Sequence, residues 1–432
     1  MTVKIKKKSV SVNPLKVSQP LGGSLALQGF YRSIPILHGS QGCASFAKTL
    51  LTRHYRETIA MQTTALQEMN VIFGAGKSLF EALDTIIHKL KPDLIGVLST
   101  GLTEVAGDDL VGNINEYIKE RNMEQPFIIP VSLPDYQGSL ESGYAKTVEA
   151  IVGRLLESKD QWPTEIVRGR VNLLPASHLT PGDVMEIKEI IRAFGLEVIS
   201  IPDLSTSLSG HLITGFSPLS RGGIPLDALP KMITAERTLV IGASMEKVAK
   251  KIEEAAEIPY HVFPSLTGLE ASDRFFTFLQ SVTGHEIPLK YVWQRENLLD
   301  SMLDAHFYFA GKSAVVALEP DLLYSVITWL HEMGVDLKGI VTTESSPVLM
   351  QLDEEIWVGD LGDLEEWADG VDLWISNSHG KRGAKRKGAV FMPLGFPIFD
   401  RIGASLFTGI GYRGTTELVI QVGNLLMEKE EV

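Results

Sequence analysis

The chain has 432 residues, enough at about 150 residues per domain for roughly three domains, and its 44% hydrophobic and 22% charged composition is that of a globular protein. A formal net charge of −13, from 40 basic and 53 acidic residues, argues against a general nucleic-acid or anionic-membrane surface. A single cysteine excludes a disulfide framework and is consistent with a reducing cytoplasm. Residues 1–8 are basic, but residues 9–23 are interrupted by polar residues and two prolines, so no apolar signal core follows. No run approaches the length of a membrane span. The expectation is a soluble cytoplasmic protein.

In chain order, an apolar run at residues 34–37 predicts a strand end, Gly39 and Gly42 a tight turn, and residues 44–55 a helix. That order places the lone Cys43 at or next to a helix N-terminus, where free N–H groups and the positive dipole end favour a thiolate. One thiol cannot by itself hold an iron–sulfur cluster or a structural zinc, each of which takes several protein ligands. Cys43 is therefore either an inert buried residue, the commoner role for a free cysteine, or one ligand of a site completed by another chain.

Further strands are expected at residues 93–100, 127–132, 171–176, 197–203, 238–243, 260–265, 313–319, 339–343, 372–377 and 389–395. Helices lie between them, with Tyr144, Val148, Ile151 and Leu155 on one stripe and Val184, Ile187, Ile191 and Phe194 on another. Apolar strands separated by helices indicate parallel sheets covered on both faces. The pattern restarts three times, with Pro/Gly/Ser-rich joints near 160–163 and 284–288. The expected fold is α/β, with three doubly wound domains at residues 1–162, 163–287 and 288–405. A C-terminal helix within residues 406–432 would pack back on the body. Ligands in such folds gather at the carboxyl ends of strands.

Several motifs are weaker. Phe73-Gly74-Ala75-Gly76-Lys77-Ser78 resembles a phosphate loop, but Val71 stands where its first glycine belongs and no convincing strand precedes it. Asp108 and Asp109, after Glu104, read better as acids complementing a helix dipole than as a magnesium or acid/base cluster. His38 reads as a strand-end residue capping backbone groups, with a hydrogen bond near a site as the sharper option. The basic run Lys381–Lys387 reads as a solvated loop, with anion or partner docking as the alternative. No spacing marks a metal-binding histidine pair or a nucleophile triad.

Around Cys43 the context is specific. Asn13-Pro14, Gln19-Pro20-Leu21-Gly22, His38-Gly39-Ser40-Gln41-Gly42-Cys43 and Arg53-His54 resemble the β-type subunit of nitrogenase and its relatives. So do Ser99–Val105 with Gly107–Leu110, and Gly395–Arg401 followed by Gly411-Tyr412. The likeness spans residues 11–425 and implies three Rossmann-like domains. In the catalytic β subunit three cysteines hold half of the P-cluster; those places are here Ser18, Cys43 and Gly101. Glycine cannot ligate iron and serine is a poor substitute, so the resemblance points away from the catalytic subunit. It points to the β-like half of the branch that matures the iron–molybdenum cofactor, as do residues 175–183, 201–205 with Gly210-His211, and 377–380 ahead of 411–415.

This resemblance implies a scaffold without a catalytic residue of its own. Cys43 would give one thiolate to a 4Fe–4S cluster shared with a NifE-like α subunit in an α2β2 heterotetramer, with Gly42, Ser18 and Gly101 lining the cluster pocket. The cofactor precursor would be held mainly by the partner. The nitrogenase Fe protein would dock transiently, and donor and recipient proteins would deliver the precursor and collect the cofactor. Neither nucleic acid nor membrane is expected as a partner. Two other readings stay open: a β-like subunit of a nitrogenase-type reductase (protochlorophyllide reductase or an alternative-metal system), and a metal-free structural homologue.

Overall fold

The computed structural model describes residues 3–5, 11, 13–123, 125–210 and 217–430, apart from the side chains of Phe73 and Gln161. Most of the basic start and His211 of the Gly210-His211 pair lie outside the described residues. Strand β1 (Val3–Ile5) precedes helix α1 (Gln19–Gln28). The first sheet then forms from β2 (Ser33–His38), β3 (Gln62–Thr63), β4 (Leu94–Ser99) and β5 (Phe127–Val131), in the order β3-β2-β4-β5 and parallel throughout. Its helices are α2 (Gln41–Tyr55), α3 (Glu68–Phe73), α4 (Gly76–Leu90), α5 (Gly101–Ala106), α6 (Leu110–Arg121) and α7 (Leu140–Leu156). Every residue of β2 and β4 is buried, as expected of central parallel strands with helices on both faces. Their register runs from Ser33 opposite Leu94 to His38 opposite Ser99. The two strands therefore end level, and the loops that follow them leave the sheet side by side.

All ten residues of α1 are buried, and it lies against α7. The approach is close enough that a Cβ on Gly22 would stand 2.0 Å from the Leu140 carbonyl oxygen. Only glycine fits there.

The second sheet, β7-β6-β8-β9, is built from β6 (Arg170–Pro175), β7 (Glu197–Ser200), β8 (Arg237–Ile241) and β9 (Tyr260–Phe263), with α8 (Pro181–Ala193) and α9 (Glu246–Ala256). After α10 (Leu269–Thr283) and α11 (Leu289–Phe309), the third sheet contains β10 (Ser313–Leu318), β11 (Asp336–Thr342), β12 (Ile356–Val358), β13 (Leu373–Ser376) and β14 (Val390–Pro393). Helices α12 (Pro320–Glu332), α13 (Leu361–Glu366), α14 (Lys381–Lys387) and α15 (Gly411–Glu430) accompany it. Strand β1 joins this third sheet, pairing Val3 with Ile356. The fold is thus three parallel α/β layers, and among the described residues no helix is long and apolar enough to cross a membrane.

The layers share cores. One apolar cluster joins β6 and α8 to β10, β13 and α15; another joins β4, α1 and α7 to β6 and β8. Helix α15 contributes Leu418, Val419, Val422 and Leu426 to the first. Where the layers meet, carboxyl groups gather. The Ser139 hydroxyl lies within hydrogen-bond distance of both Glu319 and, at 2.8 Å, Glu344, and the Asp321 N–H donates to Glu141 at 2.9 Å. Asp321 in turn accepts the Ala243 and Ser244 N–H groups, each at 3.1 Å. Burial pushes Glu319 up to about 7 and Glu141 well above the usual carboxylate range, with Asp321 and Glu319 adding repulsion at Glu141. On the outside, α11 presents an exposed apolar stripe of Leu289, Trp293, Leu303 and Phe307.

Candidate functional site

Ser40, with extended backbone, is the N-cap of α2, so the helix begins at Gln41 and Cys43 is its third residue. The thiol is half-buried and lies 3.4 Å from the Ser40 hydroxyl. The N–H groups of a first helical turn have no partner within their helix, and Cys43 stands in that turn, at the end the dipole makes positive. Gly42 lies inside this turn and not in a preceding loop, because the helix starts three residues earlier than the apolar pattern suggests. A Cβ on Gly42 would meet only the Ser40 hydroxyl, at 3.8 Å, so the surface beside Cys43 is open.

The loop after β4 lies directly against the loop after β2. The hydroxyls of Thr100 and Thr103 both donate to the His38 carbonyl, at 3.0 and 3.1 Å. A side chain on Gly39 would strike the Thr100 hydroxyl at 2.3 Å, so this glycine serves the contact between loops, not a turn of unusual backbone. Gly101 is the first residue of α5, and its N–H donates to Asp135 Oδ2 at 2.8 Å. Burial raises the Asp135 carboxyl, and the Gly101 hydrogen bond partly offsets that rise. Sequence reasoning did not find Asp135, which stands in the loop after β5 without a recognisable motif.

Ser18 is the N-cap of α1; its carbonyl accepts from the Leu21 N–H at 3.2 Å while its half-buried side chain makes no capping bond. Next to it, Gln19 donates to the Ser142 hydroxyl at 3.1 Å, in the first turn of α7. A continuous series of contacts and short loops therefore links Ser18, the start of α7, Asp135, Gly101, Gly39 and Cys43. The three positions singled out by sequence sit at the starts of α1, α2 and α5.

The neighbouring polar residues are structural. Buried His38 meets the Thr64 hydroxyl and Asp108 Oδ2, both at 3.1 Å, so its ring joins side chains where a backbone cap was expected. Asp109 caps α6 through the Gly112 N–H at 2.9 Å, and Glu104 accepts the Ser99 and Ser132 hydroxyls. Among the described residues, no three histidine, cysteine, aspartate or glutamate side chains converge as a metal site. Phe46, one turn along α2 from Cys43, is 66% exposed, and on the elements after β4 and β5 the apolar residues Leu102, Val105, Val111 and Tyr136 are exposed as well.

Two further motifs resolve in opposite senses. Residues 74–75 connect α3 to α4, a helix-to-helix link in place of the strand-to-helix turn a phosphate loop needs, as the missing first glycine and strand predict. The basic run Lys381–Lys387 is a helix, α14, not a loop. Its Gly383 lets the backbone press on the Trp374 ring, and Lys381, Arg386 and Lys387 pair with Asp400, Glu365 and Asp369 at 2.9, 2.6 and 2.6 Å.

A family model described as nitrogenase component 1 type oxidoreductase matches residues 18–427. A Rippkaea orientalis protein named nitrogenase iron-molybdenum cofactor biosynthesis protein NifN is 44% identical, over 98% of this chain and 95% of that protein. The Klebsiella pneumoniae protein of the same name is 33% identical, over 98% and 92%. Among solved structures, a chain of nitrogenase Cp1 at pH 6.5 superposes with a TM-score of 0.90 at 30% identity, covering 99% of this chain and 95% of that one.

Proposed function

Because the chain belongs to the nitrogenase component 1 type oxidoreductase family, we propose that it is the β-like half of a scaffold on which the iron–molybdenum cofactor of nitrogenase is matured. Relatives similar along nearly its whole length carry that biosynthetic role in their names. That role implies metal–sulfur clusters. On this reading Cys43 Sγ is one ligand of a 4Fe–4S cluster whose remaining thiolates come from a NifE-like α subunit in an α2β2 heterotetramer. The observation that carries the proposal is a single thiol in the first turn of α2, open on the Gly42 side, with Ser18 and Gly101 at the adjacent helix starts.

The residues fit such a shared group and do not fit a complete one. The cluster, when bound, would store and pass electrons. Cys43 would anchor it, and the first-turn N–H groups of α2 would donate to its sulfides and tune its potential. Gly42 keeps a side chain out of the approach, and Ser18 and Gly101 line the pocket without ligating. The exposed Phe46, Leu102 and Val105 would be covered by the α partner. The Fe protein would dock on the completed αβ face, and the precursor would be held mainly by the partner. This chain would carry structure and electron relay, with no bond-making residue.

The test is iron content and low-temperature EPR of the anaerobically co-purified complex, wild type against Cys43→Ala. Loss of the interface-cluster signal from an intact tetramer supports the shared ligand; an unchanged signal makes Cys43 a packing residue. Expressed alone, the chain should hold little iron, and a stoichiometric cluster in the isolated chain would overturn the reading.

A further inference from the structure

A cavity of ≈ 390 Å³ opens where the three layers meet. It takes His54 and Tyr55 from the far end of α2, about 17 Å along the helix from Cys43, so it is separate from the site above. Its volume is within the range of about 300–1,000 Å³ typical of organic-ligand pockets. The walls are mostly apolar, with Leu322, Val326, Met392 and Leu418 among them. Two residues of its lining carry a polar atom without a partner, the hydroxyl of Ser177, a residue only 8% exposed, and Nδ1 of His178; both atoms are themselves buried, so a ligand meets them by a turn of the side chain. A buried hydroxyl and ring nitrogen left unpaired each carry a desolvation cost that a ligand would relieve.

The charges narrow the ligand class. Arg401 is the lining's lone cation, whereas Asp183, Glu319 and Glu417 contribute carboxyl groups, so a polyanion finds no complement. Both Asp183 oxygens are already taken, by the Thr180 N–H at 2.9 Å and the Gly409 N–H at 2.8 Å. Burial raises Glu319 to about 7 and Asp183 to about 6 and lowers the imidazole of His54 to about 3, which reduces the charge on the walls without adding a cation for an anionic ligand. The loop of residues 398–410 contributes Arg401, Ile402 and Ala404 to the lining, and with Ile402 90% exposed this loop forms the solvent side of the cavity.

We infer that this cavity is a binding site for a small, uncharged, mainly apolar organic molecule whose single polar head hydrogen-bonds Ser177 and His178. The shape supplies affinity and the two unpaired groups supply orientation.

The probe is 1-aminoanthracene, a neutral aromatic amine that brightens in apolar sites, titrated into the purified α/β complex. Saturable binding at one site per chain is expected. Leu322→Trp, which fills the cavity, should weaken binding by about tenfold or more, and Ala404→Trp, on the solvent side, tests the same point without touching the core. Ser177→Ala should weaken it by about 2- to 10-fold, the effect of one neutral hydrogen bond. Leu303→Glu, on the exposed stripe of α11, should change nothing. Absence of saturable binding, or binding lost with Leu303→Glu and kept in both tryptophan variants, would overturn the assignment. Selective competition by a charged analogue (anthracene-carboxylate or a quaternary ammonium) at the Leu322-sensitive site would overturn the uncharged class.

Discussion

At Gly101 the room a cysteine would need is partly taken by Asp135, whose Oδ2 stands 3.1 Å from the position of a Cβ. Gly101→Cys should therefore push the carboxylate aside and weaken its bond to the residue 101 N–H, lowering stability by about 1 kcal/mol. In an Asp135→Ala background the same change should cost measurably less, because the two groups share one space. Urea denaturation of the four proteins checks this, and strict additivity would show that the site relaxes freely. Cys43, Ser18 and Gly101 each stand in a short motif that singles them out in the sequence. Asp135 does not, since its carboxylate reaches Gly101 from the loop after a different strand and leaves no local pattern.

Helix α1 shows how an element escapes sequence reading. Its sequence QPLGGSLALQ has no amphipathic period, because all ten residues are buried and none needs to be polar for solvent. Gly22→Ala places a methyl 2.0 Å from a main-chain oxygen that cannot rotate away, and should cost about 2–3 kcal/mol by urea denaturation. A loss under about 0.5 kcal/mol would mean that α1 slides on α7. Strands β3, β1 and β12 are two or three residues long and carry too few positions to reveal a period. The β1–β12 pairing also joins residues more than 350 positions apart, Val3 with Ile356, which no local signal records. The central strands β2, β4, β6, β8, β10 and β13 are legible because burial on both faces forces apolar runs. The run at α14 misleads in the opposite sense: its charges read as a solvated loop, yet three of them are paired and its Gly383 and Ala384 are buried.

Across the whole molecule, the carboxyl groups between layers couple folding to pH. Glu319 titrates at about 7 in the fold against 4.5 ordinarily, so the folded chain holds this proton more tightly than the unfolded one. Its contribution is fully present below about pH 4.5 and is lost as pH rises through 7, a change on the order of 3 kcal/mol. His54, lowered by burial from 6.5 to about 3, has the opposite slope and costs stability as pH falls below 6.5. The informative quantity is therefore the difference between wild type and Glu319→Gln, followed by urea midpoint from about pH 5 to pH 7.5. The variant should lose the part of the decline that Glu319 causes; an identical decline in both proteins would remove Glu319 as its source. If a partner completes the Cys43 site as proposed, the same layered architecture bears on how that complex forms. One peptide oxygen, that of His38, accepts both threonine hydroxyls and ties the loops of Cys43 and Gly101 together within the folded chain. The entropy of arranging that corner is thus spent before any partner arrives. Association would then select a ready-made shape instead of moulding one, with folding first and capture second.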